Sequence, residues 1–313
     1  MGRGIVESVD DWEQTDPSHP ELLSWLAREF VLHGYDFKHV ARLILNSDAY
    51  QRAAVSEKVI ANGEAYLFPG PVRRRMTAEQ LLDSMFVAAG KTFDSGQLTM
   101  DNDGSRPNTS FLNFGEPRHA WEFTSLSNER DRPSLAMPFT QDFVSLLKSF
   151  GWRAARQAPL TIRDDTPTIL QPSSLANGTV GRRITRLSDN SSLTELALEK
   201  QTTVQLVDRI FLQMLTRKPS DEERELFVGL LHESYDQRII NVDPKLVVRR
   251  FKRPTGVAWS NHLSEEANRI KIAMERLVSQ GDPPSVQLQT DWRERMEDMV
   301  WALMNSPEFV FVP

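Results

Sequence analysis

The sequence predicts a mainly α-helical protein, an irregular multi-helix bundle with one long loop-rich excursion and few or no short strands. Three observations carry that expectation. Apolar residues recur at three- and four-residue steps through most of the chain. Ser or Thr stands three residues ahead of Glu or Gln at several helix starts, and Gly34 and Gly90 close apolar stripes where a left-handed stop is needed. With 313 residues, 40% hydrophobic and 26% charged, the chain can bury about three quarters of its unfolded surface. It is expected to form one helical domain over 1–313 without help from a metal or disulfide.

The first element is SHPELLSWLAREFVLHG. Ser18 and Glu21 have capping-box spacing, Pro20 suits an early position that needs no amide donor, and Leu22, Leu23, Trp25, Leu26 and Phe30 form a face assigned to the core. Asp36 can cap a second helix, FKHVARLILNSDAY, with Val40, Leu43, Ile44 and Tyr50 inward, and the short connection makes an antiparallel pair. Thr77 and Gln80 open a third helix, LLDSMFVAAG. Residues 91–135 then lose periodicity and read as a surface excursion with one or two short strands.

Beyond the excursion, Thr140 is expected to cap QDFVSLLKSFG, and a further helix runs from about Asp165 through LQPSSLANG, interrupted or started late by Pro172. The carboxy-terminal half carries four clear stripes: TVQLVDRIFLQMLTR, SDEERELFVGLLHESY opened by Ser220 and Glu223, NHLSEEANRIKIAMERLV and WRERMEDMVWALMNSPEF. A linker at 241–260 holds a dense basic run, Arg249, Arg250, Lys252 and Arg253.

These segments resemble the carboxy-terminal planctomycete-specific domain of unknown function that follows a c-type cytochrome domain in large exported proteins. The resemblance rests on SHPELLSWLAREFVLHGYDFKHVARLILNSDAYQR, MTAEQLLDSMFVAAG, RPSLAMP, TIRDDTPTILQPSSLANG, DRIFLQMLTRKPSDEE and ALMNSPEFVFV. It implies an exported or periplasmic setting and a cytochrome c domain as partner, but no particular activity. The opening GRGIVES falls inside the family's module, so a preceding piece is expected to be missing.

Composition narrows the chemistry. The chain has no cysteine, which removes thiolate nucleophiles, cysteine-ligated clusters and covalent c-type haem attachment, so no cofactor is expected in this chain. A formal charge of −6 disfavours broad nucleic-acid binding, which releases counterions through concentrated Lys and Arg. No apolar run reaches the roughly 18 residues of a membrane span, and the amino terminus lacks a signal-peptide core. Nucleophile elbows, phosphate loops and dinucleotide fingerprints do not occur.

Candidate binding residues are Arg156, Arg163, Asp164, Asp165, Gln171 and Asn177, together with Trp121 and Trp259 in irregular segments. The charged cluster could hold an anion or a sugar, although Asp164 or Asp165 capping a helix with arginines in reply accounts for it more simply. Trp25, Trp292 and Trp301 are assigned to the core. None of the six histidines, His19, His33, His39, His119, His232 and His262, has metal-ligand spacing, and no metal is expected. His33 and His39 flank Gly34 and can meet in space, with solvated or capping roles favoured. Asp101, Asn102 and Asp103 echo a calcium loop, but Ser110 stands where its bidentate Glu belongs.

Three functions remain open. A noncatalytic helical interaction or scaffolding module leads. The alternatives are a hydrolase or other enzyme acting on polysaccharide, with a site at 156–177 beside the excursion, and a docking site for a cytochrome.

Overall fold

The computed structural model describes residues 4–6, 16–55, 70, 71, 73–93, 95, 117–126, 138–152, 166–247, 257, 261 and 263–312. Contacts divide the chain into two compact units, Met1–Arg75 with Phe311–Pro313 and Met76–Val310. The described residues are mainly helical, with two strands of two residues each.

In the first unit, α1 (Pro20–Leu32) and α2 (Phe37–Leu45) form a helical hairpin. Gly34 and Tyr35, with φ of 66° and 64°, reverse the chain, and Asp36 caps α2 by accepting from the Lys38 amide at 2.8 Å. The capping box expected at Ser18 and Glu21 does not form. His19 is the N-cap without a side-chain bond, and the Ser18 hydroxyl donates to the Ile5 carbonyl. β1 (Arg74–Arg75) pairs antiparallel with β2 (Phe311–Val312), Arg74 opposite Val312.

The apolar face of α1 is not core. No residue of the helix is buried, and Leu22, Leu23 and Trp25 remain 39–45% exposed. A single neighbouring helix covers one line of contact, here Phe30 against Tyr35 and Phe37 at ring separations of 5.3 and 4.7 Å, whereas an amphipathic stripe is about 100° wide. Tyr50, expected inward, is also exposed.

The second unit holds α3 (Ala78–Ala89), α4 (Ala120–Leu126), α5 (Pro138–Ser149), α6 (Leu170–Asn177), α7 (Thr179–Thr185), α8 (Ser192–Leu198), α9 (Thr203–Leu215), α10 (Asp221–His232), α11 (Glu265–Gln280), α12 (Thr290–Met304) and α13 (Pro307–Val310). α12 packs on α7, α9, α10 and α13, while α3 packs on α4, α5, α7 and α9. Leu81, Leu82 and Met85 of α3, Phe211 of α9, and Trp292, Met296 and Val300 of α12 are wholly buried between them.

The capping boxes at Thr77 with Gln80 and at Ser220 with Glu223 form as the spacing predicts, and Thr202 with Gln205 makes a third. Four expectations change. α4 lies inside the stretch read as an excursion. Thr140 is a buried residue within α5 whose hydroxyl faces the Ser95 carbonyl, not a cap. α6 starts after Ile169 with no side-chain cap, later than expected, and Pro172 sits in its first turn. Trp292 is core as assigned, but Trp25 and Trp301 are each 44% exposed, the Trp301 indole donating to the Ala176 carbonyl.

Arg217 ties α10 to α13. Its guanidinium donates two bonds to the Glu223 carboxylate at 2.7 and 2.8 Å and two to Glu308 at the same distances. The Arg217 bonds pull Glu223 down to about 2, against an opposing burial effect. A carboxylate depressed in the folded state contributes stability above the ordinary 4.5, lost as pH falls towards 2. Because these side chains are about a third or more exposed, water screens them and the contribution is about 1 kcal/mol or less. Urea unfolding of Arg217→Ala beside the native protein should show a deficit at pH 7 that closes as the pH drops below 4.

Candidate functional site

Arg156, Arg163, Asp164, Asp165 and Trp259 lie outside the described residues, as do Arg249, Arg250, Lys252, Arg253 and the calcium-like Asp101 to Asp103. Of the remaining candidates, Gln171 is buried and donates from Nε2 to the Thr166 carbonyl at 3.1 Å, closing the entry to α6. Asn177 is exposed at the far end of that helix. One polar group serves the backbone and the other faces solvent, so α6 does not gather them into one site. Trp121 is 58% exposed on α4, lying parallel to His119 at 6.4 Å between ring centres.

A charge cluster that the sequence does not announce lies between α3, α7 and α11. Gly90 ends α3 at φ 60°, and a Cβ there would meet the Ser192 hydroxyl at 2.0 Å, so glycine alone lets the chain turn Lys91 inward. The Lys91 side chain is fully buried. Its ammonium donates to the Arg183 carbonyl, to the Arg186 carbonyl at 2.9 Å and to Asp282 Oδ2 at 3.0 Å. Two of its three donors thus go to carbonyls at the end of α7, that of Arg186 also accepting from the Ser188 amide, and the third forms an ion pair. Burial draws the Lys91 ammonium down to about 8, with Asp282 opposing the fall.

Arg183 completes the group. Its Nε lies 3.5 Å from Asp282 Oδ1, and its guanidinium covers the Phe86 and Phe143 rings at 5.3 and 5.9 Å. Beside it, Asp142, Thr179, Val180 and Gly281 help to line a narrow cleft with room for about one water molecule. Burial pushes the Asp142 carboxyl above the ordinary carboxylate range, while a hydrogen bond from Thr179 and the Arg183 charge hold it back. Glu297, also raised by burial, accepts from the Leu187 amide at 3.0 Å and faces Arg186 and Arg293.

Perturbed groups around a cleft are one signature of chemistry. Here, however, the cleft has no room for a ligand of ordinary size, and the donors of Lys91 are fully committed to the fold. The cluster caps a helix and closes a seam. Its members stand 92 and 191 positions apart in sequence, which is why no local pattern betrays them.

The first unit brings another set together. His33 and His39 stack with ring centres 3.6 Å apart and 17° between planes. Glu29 Oε2 lies 3.4 Å from His33 Nδ1 and 3.2 Å from His39 Nε2. Sequence reasoning allowed the histidines to meet but passed over Glu29, although a carboxylate four residues before a histidine shares its helix face.

No helix among the described residues is long and apolar enough to cross a membrane. The family described as "PSD1: Protein of unknown function (DUF1553)" matches residues 1–231. No curated protein and no solved structure matches the chain.

Proposed function

The chain belongs to the PSD1 family of proteins of unknown function, and from that premise we propose that it is a noncatalytic helical interaction module. The observation that carries this reading is the uncovered face of the α1–α2 hairpin. Leu22, Leu23 and Trp25 are exposed on a helix with no buried residue, and Phe37 on α2 is 77% exposed. Apolar surface gathered on one element favours burial against a partner, with aromatic anchors giving the most per residue. The partner proposed is a c-type cytochrome domain of the larger exported protein that the sequence resemblance implies.

The polysaccharide-enzyme alternative has weaker support. The cleft near α7 is small, and Asp282, the second carboxylate on its wall, is occupied by Lys91 and Arg183. Cleavage of a glycosidic bond requires two carboxyl groups free to act on opposite sides of the sugar.

Calorimetric titration of the full chain with the cytochrome domain tests the proposal. Binding should weaken at least about tenfold in Leu22→Asp with Trp25→Asp, a hot-spot-sized loss, while circular dichroism stays native because both positions face solvent. Affinity should hardly change between low and high salt, since apolar contact is not screened. A steep fall with salt would instead identify charge-steered docking, and an absence of binding would sink the assignment.

A further inference from the structure

We propose that Glu29, His33 and His39 form a site for a divalent d-block cation, zinc foremost, at the closed end of the α1–α2 hairpin. The inference stands apart from the docking reading, which uses the other end of α1.

Local geometry assembles the three side chains from within 11 residues. His33, the C-cap of α1, stands one turn beyond Glu29. The paired left-handed residues Gly34 and Tyr35 reverse the chain, and the Asp36 cap fixes where α2 starts, which sets His39 in its first turn. One ligand atom from each residue then lies within 4.8 Å of the other two. Zinc bonded at about 2.0–2.2 Å to nitrogen and oxygen holds neighbouring ligand atoms about 3.3 Å apart. The observed 3.2 and 3.4 Å to Glu29 Oε2 match that spacing.

Hydrogen bonding alone accounts for less of the arrangement. His39 Nε2 stands at hydrogen-bond distance from Glu29 Oε2, and His33 Nδ1 from the Glu29 backbone carbonyl, yet both nitrogens also lie within 3.4 Å of the one carboxylate oxygen while their rings stack at 3.6 Å. One cation between the lone pairs and the carboxylate explains the convergence, because it binds all three groups at once.

The donor set selects the ion. Two imidazoles favour zinc, cobalt, nickel or copper over magnesium and calcium, which prefer all-oxygen shells. His33 is 45% exposed in its side chain, so a fourth position opens to water, as in sites with three protein ligands. His33 Nδ1 also lies 2.9 Å from the Glu29 backbone carbonyl. The ion must displace that hydrogen bond, which weakens binding relative to closed structural sites.

The test uses the full chain without a histidine tag, stripped with a chelator, titrated with zinc chloride by calorimetry and with cobalt chloride by visible absorption. The expected result is one equivalent of zinc, competition between the two metals, and cobalt bands of a nitrogen–oxygen site. Glu29→Gln and His39→Ala should each weaken zinc at least about tenfold. His232→Ala, an exposed histidine on α10, should leave it unchanged. Glu29→Gln is isosteric and keeps both histidines, so it tests the site even if His39→Ala loosens the hairpin. Failure of the native chain to bind either metal saturably, or equal binding by Glu29→Gln and the native chain, would overturn the proposal.

Discussion

Replacing Lys91 with alanine should lower the unfolding free energy of the Met76–Val310 unit by about 3–5 kcal/mol, the usual cost of stripping one partner from a buried ion pair. The loss has three physical parts. Asp282, only 6% exposed in its side chain, is left with Arg183 alone. The Arg183 carbonyl loses this donor, and the Arg186 carbonyl keeps only the Ser188 amide. A four-carbon stem vanishes from a site with no solvent to replace it. Urea unfolding at pH 7 reads the total, and the double variant Lys91→Ala with Asp282→Ala should lose less than the two single losses added, because the stranded charge is gone.

The same lysine predicts a dependence on pH. In the folded protein the ammonium releases its proton near 8, against an ordinary 10.5 in the unfolded chain. Between those values the unfolded state holds more protons, so rising pH favours the folded state through this group. The stability gap between the native protein and Lys91→Ala should therefore widen from pH 8 to 10.5.

Arg238→Ala is expected to be comparably severe. The Arg238 guanidinium, 5% exposed as a residue, donates to the carbonyls of Ala197 at 2.8 Å, Glu199 at 2.6 Å and Tyr235 at 3.0 Å. It also lies 4.0 Å from the Tyr235 ring centre and 5.7 Å from that of Trp292. Alanine leaves the buried carbonyls of Ala197 and Tyr235 and the part-buried one of Glu199 without this donor and opens a cavity against two aromatic rings, together worth about 3–5 kcal/mol. For a unit of this size that is a fall of about 10 °C in Tm. Arg238→Lys should recover little of it, since an ammonium cannot spread planar donors over three carbonyls or stack on a ring. A Tm for Arg238→Lys within a degree or two of native would show that charge alone suffices.

These two cations also explain what sequence could and could not disclose. α3, α9, α10, α11 and α12 carry long stripes with a cap residue or closing glycine beside them, and all are legible. α7 and α8 are seven residues each, without a side-chain bond at either N-cap. Carbonyls in their last turns accept from Lys91 and Arg238 far along the chain, contacts that no local pattern marks. α1 shows the opposite limit: its stripe is plain, but periodicity reports an amphipathic helix without saying whether a second layer exists to cover it. Thr140 has the chemistry of a cap and lies inside α5 instead, because its buried environment supplies another acceptor. The site is similar. His33 and His39 can be paired from the turn between them, whereas Glu29 looks like any charged residue on a helix.

Capping from a distance has a kinetic consequence. A seven-residue helix is too short to persist alone in water, and the donors that finish α7 arrive across 92 and 95 positions, those that finish α8 across 41 and 39. Closing such loops is slow compared with forming a locally capped turn. α9 and α10, each carrying its own capping box, can take shape early, while α7 and α8 wait for the core to close. Once folded, the order reverses in significance: the two helices that cannot form by themselves cannot open by themselves either, and their amides share the lifetime of the whole unit.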